Sequence, residues 1–226
     1  MSRKIIEKKE NKKKSTVLPA VLALVLLGLM IVLLSVLTRK RGDNKEPEIS
    51  LGDYTCLEIV LDGIDESLSD DKRLEKVDQA VLDALLSVCS FKHLDKAVKE
   101  RYNENMKYYA QMVVLYDQYE TITDLATKYY DYPDLESFQK SVMDYSELSI
   151  KQELALDAVA KEEKLSVDDA VFNRYIGKYL AAYDYSENET DKFLENYGRE
   201  TVYEIILRDY TLDRLKKMNK VSGPSS

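Results

Sequence analysis

The apolar positions of this chain recur mostly at intervals of three and four residues. A broad stripe of this kind lies between Ser146 and Lys164. There Leu148, Gln152, Ala155 and Val159 fall along one side of a helix, with Ile150, Leu154 and Ala158 beside them. Lys151, Glu153, Asp157 and Lys161 stay largely outside that stripe. Ala155, Ala158 and Ala160 are small enough for another helix to approach closely. The pattern predicts that this helix organises the fold: earlier helices pack onto it, and a small terminal helical unit follows it. Ser166 reads as the N-cap of that unit, with Asp169 as an acidic variant of the capping-box partner.

In chain order, Leu51–Leu61, with Tyr54, Leu57, Ile59 and Leu61, reads as an extended segment ended by an Asp62-Gly63 turn. Ser69 caps a helix running to about Val88, with Leu74, Val77, Val81, Leu82, Leu85 and Leu86 on one face. A long helix follows from about His93, with Val98, Tyr102, Met106, Tyr109, Val113 and either Tyr116 or Leu115 inward. Thr121–Asp124 is the place where it restarts or kinks. Pro133 opens a short helix carrying Leu135, Phe138, Val142 and Met143. Beyond the organising helix, Val167–Ala182 carries Phe172, Tyr175, Ile176, Tyr179 and Leu180. After a turn at Tyr183–Ser186, Ser186 and Glu189 box a short helix that Gly198 ends. The last helix, Arg199–Met218, turns Val202, Ile205, Ile206, Tyr210 and Leu215 inward. The fold class is therefore all-α, in a helical domain over residues 51–219, with residues 220–226 disordered by composition.

The N-terminal end is different. Val17–Leu37 is continuously apolar except at Pro19, Gly28 and Ser35, and at about 1.5 Å per residue it reaches across roughly 30 Å of hydrocarbon. No small-residue cleavage site ends it and no cysteine follows it for lipid attachment, so it reads as an uncleaved signal anchor. The expected layout is a basic cytoplasmic tail at residues 1–15, a transmembrane helix at 16–38 in contact with the lipid bilayer, and a linker at 39–50. Charge sets the orientation. Residues 1–45 carry 11 Lys/Arg against 3 Asp/Glu, and the remainder carries 22 against 38. The excess ahead of the apolar run places the N-terminus in the cytoplasm and the acidic body outside the cell membrane. An acidic body argues against a nucleic-acid partner.

Candidate chemistry is sparse. Cys56 and Cys89 have no metal-ligand spacing; they read as small, partly buried hydrophobes, with a disulfide as the minority reading. His93, the only histidine, has no Ser or Cys nucleophile in context and reads as a surface or helix-start residue. Asp70-Asp71 and Asp168-Asp169 sit at helix starts, where carboxylates complement the helix dipole. Asn188-Glu189-Thr190 matches a glycosylation sequon by chance. No catalytic, cofactor-binding or metal-ligating set is assigned.

Three stretches resemble the C-terminal, SurA-like helical domain of bacterial trigger factor. They are Val81–Leu86 followed by Ser90-Phe91 and the long helix, Val142–Ala160 with Leu165–Asp169, and Tyr197-Gly198 with the final helix ending in LDRLKKM. Leu51–Tyr54 with Leu57-Glu58 is similar to the segment that leads into the family's isomerase domain. Together these cover about two-thirds of the chain. The family's ribosome-binding domain is replaced here by the basic tail and anchor. Only about a dozen residues separate Leu61 from Leu74, too few for a five-stranded FKBP-like prolyl isomerase. The resemblance implies a chaperone cradle displayed on a membrane, without enzyme activity, that holds unfolded or newly translocated polypeptides without ATP. A module docking one secretion or cell-envelope partner is the alternative; a prolyl isomerase is the weaker one, its domain being missing.

The 17 tyrosines, against 4 phenylalanines, add to this. A helix cannot bury both members of an adjacent pair equally well, and tyrosine combines apolar area with a wettable tip. The expected client-binding residues are Tyr129, Tyr130, Tyr132, Tyr183 and Tyr185, with Met106, Tyr109 and Tyr116 on the long helix.

Overall fold

The structure, a computed structural model, describes residues 45–61, 68–115 and 119–221. The expected tail and anchor at residues 1–38 lie outside the described residues. Among the described residues no helix is long and apolar enough to cross a membrane. The helices are α1 (Asp70–Ser87), α2 (Asp95–Leu115), α3 (Leu135–Glu162), α4 (Asp169–Ala182), α5 (Thr190–Tyr197) and α6 (Arg199–Met218). Among the described residues, two short strands, β1 (Glu48–Leu51) and β2 (Cys89–Lys92), depart from an all-α reading.

The organising helix is longer than its pattern suggests. The short helix after Pro133 and the one from Ser146 are a single 28-residue α3, about 42 Å long at the standard rise. Pro133 is not in its first turn. Asp134 is the N-cap, accepting from the Ser137 N–H at 2.7 Å. At the other end Lys164 takes a left-handed φ of 54°, and the Leu165 N–H reaches back to the Ala160 carbonyl at 2.8 Å. Along this rod α3 packs against α2 near its start and against α1, β1 and α6 near its end.

The base of the molecule is built where Val81 and Leu85 of α1, Ala155, Leu156 and Val159 of α3, and Leu212 and Leu215 of α6 are buried together. Burying such a side chain fully stabilises the fold by about 1.5–3 kcal/mol. Two expected core positions are not there: Leu74 is 55% exposed and Leu148 36% exposed.

The β1–β2 ribbon closes the base. Its antiparallel register pairs Ile49 with Phe91 and Leu51 with Cys89, and these four side chains pack toward the core. The extended segment expected at Leu51–Leu61 thus forms its strand earlier, partly within the expected linker. Beyond Leu51 the chain is held by a side chain instead of a strand: Asn219 accepts from the Leu57 N–H at 2.8 Å and donates to the Tyr54 carbonyl at 3.2 Å. Both cysteines are free thiols, Cys56 exposed and Cys89 half-buried in β2. Gly52 follows β1 so closely against α1 that a Cβ there would lie 2.4 Å from the Val88 carbonyl oxygen. Gly52→Ala should therefore cost about 1–3 kcal/mol through forced backbone displacement; urea unfolding of the variant measures it, and an unchanged midpoint would mean the ribbon shifts freely.

The terminal unit of α4, α5 and α6 has its own core of Tyr175, Ile176, Tyr179, Leu180, Phe193, Leu194, Val202 and Ile206. Asp168, not Ser166, is the N-cap of α4, accepting from the Val171 N–H at 2.8 Å. Ser186 and Glu189 do form a capping box, though on a 3-10 turn that precedes α5. Gly198, at φ 81°, ends α5 and starts α6, a conformation that disfavours any other residue.

Candidate functional site

Among the described residues, the far end of the α2–α3 pair carries the most exposed of the large apolar side chains. Val114 is 80% exposed and Leu115 78% exposed in the last turn of α2. Met112, Val113, Val114 and Leu115 are consecutive, so one helix cannot turn all four inward; only Met112 is buried.

The chain returns through a compact cap. Thr121 accepts from the Asp124 N–H at 3.1 Å and starts a single α-helical turn, Ile122–Asp124. A π-helical turn, Leu125–Tyr129, follows directly. It closes with the Tyr130 N–H on the Leu125 carbonyl at 3.2 Å, and the Tyr132 N–H then reaches the Ala126 carbonyl at 3.0 Å. Asp131, at φ 57°, makes the reversal. The adjacent tyrosine rings meet edge-on at 4.8 Å but differ in burial: Tyr129 is 37% exposed, while Tyr130 packs inward.

Phe138 is the centre of the aromatic cluster beneath this cap. It is 2% exposed, and its ring lies 4.9 Å from Tyr109, 5.3 Å from Tyr132 and 5.7 Å from Tyr130. Tyr130 donates to the Met112 sulfur at 3.8 Å, and the Tyr132 and Ser141 hydroxyls meet at 2.6 Å. Burial pushes the Tyr109 phenol well above its ordinary range. At the surface, Tyr129 lies edge-on to Tyr119 at 5.9 Å. The tip therefore presents Val114, Leu115 and one face of Tyr129 on a rigid aromatic base.

A polar layer ties the α2–α3 pair to the body. Arg101 of α2, 4% exposed, forks onto Glu153 of α3 at 2.7 and 3.0 Å and donates to Ser149 at 2.8 Å. Asn105, fully buried, donates to Ser146 at 2.8 Å. From the other side Arg208 of α6 lies 3.7 Å from Glu153 and forks onto Asp157 at 2.9 and 2.8 Å. Burial raises the Glu153 carboxyl, but the Arg101 hydrogen bonds and the two guanidinium charges outweigh it and hold the group below its ordinary value.

The expected contact residues divide into two places. Tyr129, Tyr130, Tyr132, Tyr109 and Met106 come together at the tip, but only Tyr129 is exposed there. Tyr109 is 4% exposed, and Tyr130, Tyr132 and Met106 pack against the tip core. Tyr183 and Tyr185 instead belong to the terminal unit, where their rings pack on Phe193 at 5.7 and 5.3 Å. Tyr116 lies outside the described residues. With four Phe and no Trp in the chain, tyrosines supply most of the large rings in its cores. Leu115, expected inward as the alternative to Tyr116, is instead 78% exposed, and Val114 beside it carries no expectation, although their consecutive placement with Met112 and Val113 marks both. His93 is exposed in the link between β2 and α2. Among the described residues no group of three or more His, Cys, Asp or Glu side chains is placed to hold a metal ion.

No curated protein and no solved structure matches the chain. The family model described as the bacterial trigger factor protein C-terminus matches residues 66–217, from just ahead of α1 to the last turn of α6. That span takes in the polar layer, the aromatic tip and the terminal unit, and the chain belongs to the trigger factor C-terminal family.

Proposed function

We propose that this protein is a membrane-anchored chaperone that holds unfolded or newly translocated polypeptides without ATP. The family supports a chaperone-like role. The observation that carries the finer reading is the tip, where Val114, Leu115 and Tyr129 keep apolar surface in water at the end of a rigid helical pair. An exposed apolar patch on an acidic, otherwise well-packed protein suits weak contact with many apolar segments. The holding reaction is a difference in affinity: the tip binds exposed apolar chain and loses its ligand when that chain buries its own core. The full-length chain in nanodiscs should suppress aggregation of an unrelated denatured protein, and Leu115→Ser should weaken that suppression severalfold. If several unrelated denatured proteins aggregate unchanged in its presence, a dedicated docking module is the better reading.

The tyrosines give a built-in control. Tyr129→Ser should change stability by less than about 0.5 kcal/mol, as surface substitutions do, while Tyr130→Ser should cost several times more, since it removes ring packing beneath the cap. Thermal melts separate the two; equal losses would mean that Tyr129 is core.

The anchor is proposed from residues 16–38, and orientation from the basic excess ahead of them. Protease added to protoplasts should remove the helical domain; protection until lysis would reverse the topology. No prolyl isomerase activity is expected, and acceleration of a proline-limited refolding reaction by catalytic amounts of the protein would contradict that.

A further inference from the structure

Beside the base of α2, away from the tip, lies an open groove of about 710 Å³. Phe91, Val98, Tyr102 and Met143 give it an apolar lining, and Lys92 and Lys99 line it with charge. β2 runs along one end of this groove and carries a strand partner on one side only. The ladder register fixes which of its backbone groups are spare. The Gly52 N–H bonds the Val88 carbonyl, so the hydrogen-bonded pairs alternate through Ser50–Ser90 and Glu48–Lys92. Cys89 and Phe91 fall at the positions between, where the N–H and C=O point away from β1. Neither edge of the ribbon is paired with another strand among the described residues.

The geometry points to a polypeptide site here: an extended segment of an unfolded client adds as a third strand to the outer edge of β2 and lays alternate side chains into the groove. Its ligand class rests on the chaperone reading above; the site itself is separate from the tip. Backbone pairing at Phe91 recognises any sequence, which a holding protein needs, and the groove supplies selectivity through every second side chain. Charge sets a preference. The body of the chain is acidic, with 38 Asp/Glu against 22 Lys/Arg after residue 45. In the groove, Glu147 is already paired with Lys151 at 2.5 Å, whereas Lys92 and Lys99 form no ion pair among the described residues. Asp95 is the remaining lining carboxylate, at the first turn of α2. Lys92 and Lys99 therefore favour segments that alternate apolar and acidic residues, and the rest of the surface repels those segments.

The test uses the full-length chain in nanodiscs and a labelled synthetic peptide of alternating Leu and Glu, read by fluorescence anisotropy. Binding should weaken about tenfold when the Glu residues are replaced by Lys, and about tenfold when backbone N-methylation removes the N–H groups of one alternate set of residues. Methylation of the other set should have little effect. Charge reversal at Lys92→Glu and Lys99→Glu, both exposed, should invert the preference without moving the melting temperature. Affinity insensitive to methylation and to charge reversal overturns the site. So does binding lost in Leu115→Ser at the tip but kept in the lysine variants. Binding seen only after residues 1–44 are exchanged for an unrelated tether also overturns it, because the chain's own segment would then be the occupant. Holding of a denatured protein is assayed in parallel. Retained holding without groove binding removes this site and leaves the chaperone reading. Groove binding without holding keeps the site and removes that reading.

Discussion

Phe138→Ala should lower the free energy of unfolding by about 3–5 kcal/mol, the range for truncating a buried aromatic ring. The side chain is 2% exposed, and three tyrosine rings lean on it at 4.9, 5.3 and 5.7 Å. No neighbour can collapse into the space easily. Tyr130 is held by the π turn and by its bond to Met112, and Tyr132 by its hydroxyl contact with Ser141. The loss should also disorder the cap that presents Tyr129, so client holding should fall together with stability. Tyr129→Ser should separate the two, losing holding at nearly unchanged stability. Urea unfolding of the full-length chain reads the first quantity; a cost below about 1 kcal/mol would show that the aromatic base repacks and does not position the tip.

What could be read from the sequence follows from which signals are local. The last helix has its boundaries, Arg199–Met218, marked by Gly198 before it and a polar end after it. The helix ends at Ala182 and near Lys164 are legible although non-glycine residues make the reversals, Asp184 at φ 58° and Lys164 at φ 54°; the reversal at Asp131, φ 57°, carries no such signal. The apolar pattern breaks α3 in two because Ser146 and Ser149 stand on its buried face, where periodicity asks for apolar residues. They are there to meet Asn105 and Arg101 from α2, partners 41 and 48 residues away that no local window contains. The place of the ribbon is hidden for a related reason. Leu57, Ile59 and Leu61 alternate as well as Ile49 and Leu51 do, but only the latter pair faces β2, and pairing is not written in one strand alone.

The candidate site was partly legible for the same reasons. Adjacent tyrosines required that one ring of each pair be less buried, and this is observed at Tyr108-Tyr109 and Tyr129-Tyr130. Which ring turns outward depends on the π turn, whose extra residue shifts the helical phase. Tyr183 and Tyr185, in a turn, were expected in water, yet they close a cluster with Phe193 and Tyr197, at 4.7 Å between Tyr183 and Tyr197. The groove beside β2 has no local signal, since its lining joins the end of β2 and the start of α2 to Met143, Glu147 and Lys151 of α3, distant in sequence.

Arg101→Ala should be as damaging as the loss of Phe138, at about 3–5 kcal/mol, but by a different cause. The guanidinium is buried against Ser149 and both oxygens of Glu153. Its removal leaves a largely desolvated Glu153 carboxylate with the Ser149 hydroxyl at 3.2 Å and Arg208 at 3.7 Å, without its two-pronged contact. Arg101→Lys should recover only part of the loss, because an ammonium cannot reproduce the two-pronged contact. Replacing both partners, Arg101→Met with Glu153→Met, should be much milder than either single change, since no unpaired charge remains. The pH dependence carries a sign. The folded-state value of Glu153 is held below the ordinary 4.5, so the stabilisation is complete above the unfolded value and is lost as pH falls through the folded one. The advantage of the wild type over the double variant should therefore shrink below about pH 4.5. A double-mutant cycle by urea unfolding, run at neutral pH and again in acid, measures both effects. Additive single losses, or a gap that widens in acid, would mean that the pair does not hold α2 to α3 and that the tip is positioned by its aromatic core alone.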